Sequence, residues 1–506
     1  MKPFSFSSVN NSGFGNALAK IKYMMKTHKS RNYLLIIALI LFGHTRLPAQ
    51  NNKAWTLEEC VNYARNRNIS IKKQLLNVQM QRDQLMQSKL STLPTLNGNG
   101  SHVYNWGQTI DPFTNQFATE RVRSNNFYIS TQFTLFNGFQ KLNTIRRNQL
   151  ALQISEVEVE RMMNDISLNV VTFYLQGLYA MEVLKNAENQ LELVRQQRDR
   201  IARLVEAGTL ARGELLNMEA QVASAELQTV EARNSLDLAL LQLAQLIDLE
   251  NPQGFTIQAP DITIPEGEIQ LPDVEGVVNY ALAHQPEIIA SEMRTRQSEK
   301  EYEIARGGMS PVLSLGGSWG TGYSGAAREI DPSIPPSVLS YPIGITQNSK
   351  DTVIGYATQY AYRIKPFGDQ LKANENKSFG LYLNIPIFNG YRIRNSIQQA
   401  RIAKESAGLD LQLARNNMRK LITQAHADAQ AALKKYYAAR RKLEAQEESF
   451  HYASEKYAVG LLTAVEYNQN KEDLNRARSE LLQAKYDFLF KSRILDFYSG
   501  KPIVIE

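Results

Sequence analysis

The chain has 506 residues, and its 57 Lys and Arg against 50 Asp and Glu give a net charge of +7. The first 49 residues hold seven of those basic residues and no acidic residue, so the rest of the chain carries 50 charges of each sign. Nucleic-acid binding needs a concentrated basic surface, and a mature chain without net charge gives no reason to expect one. Nucleic acid is therefore excluded as a predicted partner.

The N-terminal region, residues 1–49, is predicted to be an extension followed by a signal peptide. A basic start around Lys26 precedes an apolar core from Tyr33 to Phe42, and Leu47-Pro48-Ala49 offers a small-residue cleavage site. The core is about half as long as a bilayer-spanning helix requires, which favours export over a permanent anchor. The one cysteine, Cys60, cannot form an intramolecular disulfide, and we interpret it as a buried structural thiol.

The first half of the mature chain, residues 50–248, is predicted to contain short helices, two strands and a long helical hairpin. The predicted segments are helices over 56–91, strands over 94–107 and 124–138, and a helical hairpin over 139–247. A proline-rich segment over 249–272 reads as an irregular linker.

The second half, residues 273–497, has the same order of predicted elements. They are helices over 273–308, strands over 310–324 and 377–390, and a helical hairpin over 391–497, followed by a C-terminal tail over 498–506.

Landmark residues recur at constant offsets between the two halves. Val61-Asn62-Tyr63-Ala64 returns as Val278-Asn279-Tyr280-Ala281, an offset of 217 residues. Phe136-Asn137-Gly138 returns as Phe388-Asn389-Gly390, an offset of 252 residues. The offset grows only between the two strands of a copy, so one loop lengthened while the other elements kept their lengths. A duplicated unit with fixed dimensions indicates elements standing side by side in a closed assembly.

The long helices carry the strongest local pattern. The segment 139–205 would extend about 100 Å at a rise of ~1.5 Å per residue, which requires support along its length. In the returning helix, apolar and small residues alternate steps of four and three from Met218 to Leu243, and the second copy keeps that register from Asn470 to Leu495. This is a coiled-coil seam. A soluble scaffold would show the same seam.

The four strands distinguish a pore from a soluble scaffold, because each is about long enough to cross an outer membrane when tilted. Two strands alternate apolar and other residues, and the residues predicted to face lipid are Phe127, Ile129, Phe133, Leu135, Phe379, Leu381, Leu383 and Ile385. Aromatic residues near the loops are expected to form an interfacial girdle: Tyr104, Trp106, Trp319 and Tyr323. The alternative is a small soluble sheet.

Four strands cannot close a barrel around water, and open strand edges are not tolerated in lipid. Other copies of the chain must therefore complete the barrel. Three copies would give twelve strands and would bundle the long helices into a continuing tube, although strand counting alone also permits two or four. The predicted fold class is an α+β membrane protein. It combines a duplicated unit, a long α-helical coiled-coil barrel and a four-strand share of a trimeric transmembrane β-barrel.

The repeat, the Phe-Asn-Gly ending each second strand and the glycine turns between long helices resemble the TolC-type outer-membrane efflux proteins. The resemblance covers essentially all of residues 54–497. It implies a homotrimer in the bacterial outer membrane whose helices reach across the periplasm. The implied partners are a periplasmic adaptor, an inner-membrane transporter and outer-membrane lipid. The implied function is efflux or type I secretion.

The resemblance also assigns roles to the ends of the helical hairpins. Val459-Gly460-Leu461 match the family's helix-tip motif, Gly208 and Thr209 match it less fully, and these residues are predicted to contact the adaptor. Glu466, six residues past Gly460, and its first-copy equivalent Glu214 are candidates for a periplasmic gate. A solvated glutamate in the first helical turn is the simpler interpretation of both.

The sequence predicts no catalytic site. Gly316-x-Ser318-x-Gly320 satisfies a serine-hydrolase pattern, but that motif requires a turn from strand to helix, and here it lies within a predicted strand. The four histidines of the mature chain have no metal-ligand spacing, so we expect no catalytic centre, no metal and no cofactor. Three readings remain: an export duct, which we favour, a periplasmic coiled-coil scaffold without a pore, and a hydrolase.

Overall fold

The computed structural model describes residues 54–111, 113–118, 121–260 and 270–501. The predicted signal peptide, part of the predicted linker (261–269) and the end of the predicted tail (502–506) lie outside the described residues. The chain divides into two units. All helices and strands below belong to the unit formed by Trp55–Gln253 and Ile257–Glu506; the other unit is Met1–Ala54 with Gly254–Thr256.

The first repeat supplies four helices. They are α1 (Leu57–Arg67), α2 (Ile69–Leu90), α3 (Gln140–Glu206) and α4 (Arg212–Leu246). Thr56 begins α1 with a capping box: its hydroxyl accepts from the Glu59 amide at 3.2 Å, and the Glu59 carboxylate accepts from the Thr56 amide at 3.0 Å. Within the described ranges, no helix combines the length and apolar content needed to cross a membrane.

The second repeat supplies helices of the same lengths. They are α5 (Val274–His284), α6 (Pro286–Gly307), α8 (Arg392–Ala458) and α9 (Ala464–Tyr498), with a short loop helix α7 (Phe367–Ala373) between α6 and α8. Each repeat has helices of 11, 22, 67 and 35 residues. The two longest helices begin one residue later than the sequence predicts.

Four long strands form one antiparallel sheet in the order β1-β4-β5-β10. These strands are β1 (Thr95–Asn105), β4 (Val122–Phe136), β5 (Val312–Ser324) and β10 (Asn376–Asn384). The loop between β1 and β4 holds β2 (Thr109–Ile110) and β3 (Phe117–Ala118). The loop between β5 and β10 holds β6 (Arg328–Ile330), β7 (Ser337–Ile345), β8 (Thr352–Gln359) and β9 (Tyr362–Ile364).

The last long strand is shorter than predicted. The sequence predicts a strand over 377–390, whereas β10 ends at Asn384. Pro386 follows, and proline has no amide hydrogen to donate to a strand ladder, which explains the early end. Ile385, predicted to face lipid as part of this strand, therefore lies just beyond it.

The coiled-coil seams pack within each hairpin as the residue pattern predicts. In α4 the seam residues Ala225, Ala232 and Leu243 are buried, and in α9 the buried members are Leu474, Ala477, Ala484, Phe488 and Leu495. The prediction for Cys60 is also confirmed, because it is buried and unpaired. Burial raises the pKa of its thiol to about 12, so the thiol stays protonated.

The repeated Phe-Asn-Gly motif forms the corner between a strand and a long helix. Gly138 and Phe139 both have positive φ, 65° and 62°, and Gly390 and Tyr391 repeat this with 63° and 68°. A Cβ atom on Gly138 would overlap the backbone of Gly307 in α6. Glycine is therefore required in the first copy by both its φ angle and its surroundings.

Candidate functional site

The register of the sheet places most of the predicted lipid-facing residues on one face. Leu315 lies between Phe133 and Leu381, and Trp319 lies opposite Ile129. Residues directly opposite each other in antiparallel strands share a face. The apolar face, as we call it, therefore includes Leu96, Phe127, Ile129, Phe133, Leu313, Leu315, Trp319, Phe379, Leu381 and Leu383. Phe379 is 78% exposed in the single chain.

The other face of the same strands is polar and has no charged side chain. Its residues are Asn, Ser, Thr, Gln, Tyr and Gly, with valines near the strand ends. The hydroxyls of Ser318 and Ser378, for example, lie 2.7 Å apart across β5 and β10. An apolar face against a neutral polar face is the pattern of a strand with lipid on one side and water on the other.

The pairing register assigns the glycines of β1 and β5 to particular faces of the sheet, which the sequence pattern alone leaves open. Gly98 and Gly100 lie on the apolar face, opposite Ile129 and Phe127. Gly316 lies on the polar face, where the Tyr382 ring covers it. Leu135 lies at a register shift between Thr134 and Phe136, so strict alternation does not fix its direction.

The four residues predicted to form the aromatic girdle have different surroundings. The rings of Tyr104 and Trp106 lie 6.0 Å apart near the outer end of β1, and the Trp319 indole donates to Glu375 at 2.7 Å. Tyr323 is 5% exposed, because Phe367 of α7 packs beside its ring at 5.2 Å. A girdle residue must reach the lipid interface, so the prediction for Tyr323 is wrong: the loop helix covers it.

Both helical hairpins turn through the same hydrogen-bonded motif. At the first, the Thr209 amide donates to Leu204 at 2.9 Å and the Gly208 amide to Val205 at 3.0 Å. At the second, the Leu461 amide donates to Lys456 at 2.8 Å and the Gly460 amide to Tyr457 at 3.1 Å. These are Schellman turns, in which glycine supplies the left-handed residue: φ is 72° at Gly208 and 77° at Gly460.

The outer surface of the second turn is apolar and unobstructed. Val459 is 71% and Leu461 77% exposed, and a Cβ atom on Gly460 would meet no atom within 4 Å. The first turn is equally open around Gly208, but its Thr209 hydroxyl donates back to the Leu204 carbonyl at 2.7 Å.

The two candidate gate residues differ in their local bonding. Glu466 completes a capping box at the start of α9: its carboxylate accepts from the Thr463 amide at 3.0 Å and from the Thr463 hydroxyl at 2.7 Å. These hydrogen bonds lower the pKa of Glu466. Glu214 occupies the same position in α4, but Ala211 is the residue before that helix and gives no side-chain cap.

A buried polar contact joins the two hairpins near these turns. The Lys471 ammonium on α9 donates to the Gln197 side-chain oxygen on α3 at 3.3 Å, and the Gln197 amide donates to the Tyr467 hydroxyl at 3.4 Å. Lys471 is 8% exposed, and burial lowers the pKa of its ammonium. The repeat gives no signal for this contact, because the first-copy position equivalent to Lys471 is Glu219.

The serine-hydrolase pattern around Ser318 does not have the geometry that its motif requires. Ser318 lies within β5 and pairs with Ser378 of β10, whereas a nucleophile elbow needs a sharp turn from strand to helix. Among the residues that the structure describes, no cluster of three or more His, Cys, Asp or Glu side chains could hold a metal ion.

Comparison with known proteins is consistent with the two-faced sheet and the long hairpins. The family model for the outer membrane efflux protein matches residues 60–248 and 277–501. The chain is 22% identical over 460 residues to the outer membrane protein TolC of Escherichia coli (strain K12), covering 90% of this chain and 83% of that relative. It is 24% identical over 395 residues to the alkaline protease secretion protein AprF of Pseudomonas aeruginosa, covering 75% and 70%.

Solved structures share the fold at low sequence identity. The outer membrane protein VceC of Vibrio cholerae has a TM-score of 0.67 and 16% identity, over 88% of this chain and 97% of that chain. The Campylobacter jejuni CmeC outer membrane channel has a TM-score of 0.66 and 18% identity, over 89% and 87%. The chain therefore belongs to the outer membrane efflux protein family, the TolC-type channels of the bacterial outer membrane.

Proposed function

We propose that three copies of this chain form a continuous duct that carries substrates from a periplasmic adaptor and an inner-membrane transporter out of the cell. The sheets of three protomers close a twelve-stranded barrel in the outer membrane, and the long hairpins close a coiled-coil barrel in the periplasm. The two edges of the single chain carry this proposal, because each edge presents half of a junction that the chain already contains once.

The junction between the repeats is complete within the chain. There β4 pairs with β5, and α3 packs against α6 and α9. In the second repeat, the counterpart of β1 is β5, the counterpart of α2 is α6, and the counterpart of α4 is α9. Yet among the described elements β1 pairs with β4 alone, and the main packing partner of α4 is α3. The missing neighbours of β1, α2 and α4 are then β10 and α8 of the next protomer, a head-to-tail contact that generates a ring.

Exposed apolar side chains follow both edges, as this contact requires. On α2 they are spaced by seven and four residues: Ile69, Leu76 and Met80. On α8 they have the same spacing: Ile402, Leu409 and Leu413. Each of the six is more than half exposed in the single chain. Matching stripes with a seven-residue step are the seams through which long helices pack.

The corner glycines give a second sign of the missing neighbour. Gly138 lies against the backbone of α6, whereas a Cβ atom on its counterpart Gly390 would meet no atom within 4 Å. In the proposed ring, α2 of the next protomer takes the place beside Gly390 that α6 takes beside Gly138. The count of three protomers comes from the resemblance to TolC-type channels, since edge complementarity alone fixes only the direction of the ring.

The test of the duct is its assembly. We expect membranes to release the chain only with detergent, as an oligomer that resists SDS and has three times the mass of the chain. In planar bilayers this oligomer should conduct ions. A monomer soluble in buffer would support the alternative, a periplasmic coiled-coil scaffold without a pore.

We further propose that the adaptor binds the hairpin turns, chiefly the exposed surface of Val459, Gly460 and Leu461. Gly460→Trp and Gly460→Ala impose the same strained backbone, but only Trp adds bulk on the open side of the turn. Export should be lost in Gly460→Trp and retained in Gly460→Ala, with trimer yield equal in both. Equal export by the two variants would remove the adaptor contact from this turn.

The gate role of Glu466 and Glu214 is also a proposal. Three Glu466 carboxylates around the tip of a threefold duct would favour cations. Glu466→Gln removes the charge while glutamine still serves in a capping box. We expect the cation preference measured from reversal potentials to fall in Glu466→Gln and to persist in Thr463→Ala, which removes the cap and keeps the charge. An unchanged preference in Glu466→Gln would assign Glu466 to helix capping alone.

A further inference from the structure

The long outer loop, residues 325–375, is built around a hairpin that lacks a packing partner. Among the strands that the structure describes, β7 and β8 pair only with each other, as a separate two-stranded sheet. Large apolar side chains are exposed on both of its faces, including Leu339 at 48% on one face and Tyr356 at 73% on the other. An isolated two-stranded hairpin is marginally stable in water, so this one requires a further contact.

The base of the hairpin is held firmly. Ser324, at the outer end of β5, donates its hydroxyl to the Asp111 carboxylate, which also accepts from the Thr114 amide at 2.8 Å. The Gln370 side chain of α7 accepts from the Ser324 amide at 2.8 Å and donates to the Ser324 carbonyl at 2.9 Å. All three side chains are buried. This network ties both outer loops to the barrel rim.

The charge pattern of the loop indicates what kind of partner the hairpin can bind. Between Asp331 and Arg363 the only charged residues are Lys350 and Asp351, which are adjacent and opposite in sign. Copies of the hairpin can therefore approach one another without like-charge repulsion. Lipid is not a suitable partner for the hairpin, because the outer edges of β7 and β8 would expose unpaired backbone groups to hydrocarbon.

We propose that the β7–β8 hairpins of three protomers bind one another at the outer mouth of the duct and narrow it. This inference rests on the proposed trimer. In this contact, β8 of one hairpin lies beside β7 of the following one. Each hairpin edge and each apolar face then gains a neighbour from a second copy of the chain.

Cross-linking tests the contact. Tyr356→Cys in a Cys60→Ser background, treated with a short bis-maleimide, should give covalent dimers on a denaturing gel. Lys372→Cys, exposed on α7 at the base of the loop, is the matched control and should give none. Both are made as purified SDS-resistant trimers, so failure to form a trimer would count against the duct and not against the hairpin contact. Trimers in which Tyr356→Cys yields only single chains would overturn the inference.

Conductance gives an independent readout. Replacing residues 335–360 by a short Gly-Ser linker retains the β6–β9 pair and the buried network at the rim. The single-channel conductance of this deletion should exceed that of the full chain. An unchanged conductance in intact trimers would show that the hairpins do not narrow the mouth.

Discussion

The two repeats of this chain agree in every helix length and differ in their outer loops. Helices of 11, 22, 67 and 35 residues occur in both copies. The loop after β1 holds two strands of two residues, whereas the loop after β5 holds four strands and a helix. In the proposed ring, elements that share the wall must match in length, because a mismatch would open it. Loops beyond the rim have no such constraint and can acquire other contacts.

The hairpin turns show a subtler difference between the copies. Both are Schellman turns around a glycine, but only the second is followed by a capping box. Thr463 and Ala211 have nearly the same backbone angles, with φ of −76° and −71° and ψ of 156° and 145°. The backbone is thus ready for a cap in both copies, and one side chain decides whether it forms.

The largest expected effect tests whether the two repeats contribute equally to the lipid face. Phe133→Arg in the first copy and Leu381→Arg in the second should each block assembly at a cost of about 2–4 kcal/mol per subunit near the bilayer midplane. Asn126→Arg, on the polar face of β4, is the control and should leave trimer yield unchanged. Normal trimer yield in either apolar-face variant, measured on SDS gels, would contradict the assigned orientation.

The next effect concerns the two turn glycines. Gly208→Ala and Gly460→Ala should each destabilise the helical region by about 1–2 kcal/mol, because a side chain disfavours the left-handed conformation. Gly213→Ala, within α4, should have the opposite sign, since alanine favours a helix by roughly 0.5–1 kcal/mol. Thermal unfolding followed by circular dichroism checks all three. A clear difference between the two turn variants would mean that the turns are not equivalent.

The caps give a smaller, reciprocal effect. Thr463→Ala should destabilise the start of α9 by about 1 kcal/mol, and Ala211→Thr should stabilise the start of α4 by a similar amount, because Glu214 is in place to complete a box. Hydrogen exchange of the amides of Glu466 and Glu214 reports each cap separately. No added protection at Glu214 in Ala211→Thr would show that the backbone there is not ready for a cap.

The smallest effect is a pH dependence confined to the second turn. Hydrogen bonds from Thr463 lower the pKa of Glu466 below its ordinary value of 4.5, so its capping contribution is present above that value. The contribution is lost as the pH falls through the lowered pKa. Amide exchange at the start of α9 should therefore accelerate in acid, relative to the start of α4. Thr463→Ala should abolish the difference.

The sequence predicted the helices more accurately than the strands, for a physical reason. A 67-residue helix repeats its seam many times, so its period and ends are strongly marked. The strands are short, and glycines at Gly98, Gly100 and Gly316 interrupt their alternation until the pairing register assigns each a face. The loop helix that buries Tyr323 and the buried Lys471 contact both join segments far apart in the chain, and neither has a counterpart in the other repeat.

The sequence by itself determined the duplication, the lengths of the helices, the coiled-coil seams and the glycine turns. Each of these depends on residues near one another in the chain or on a constant offset. Only the tertiary structure decided which face each strand residue shares, which edges lack a neighbour and how the outer loop is anchored. Those features depend on backbone pairing between strands and on contacts between repeats, and no local pattern of residues encodes where such partners meet.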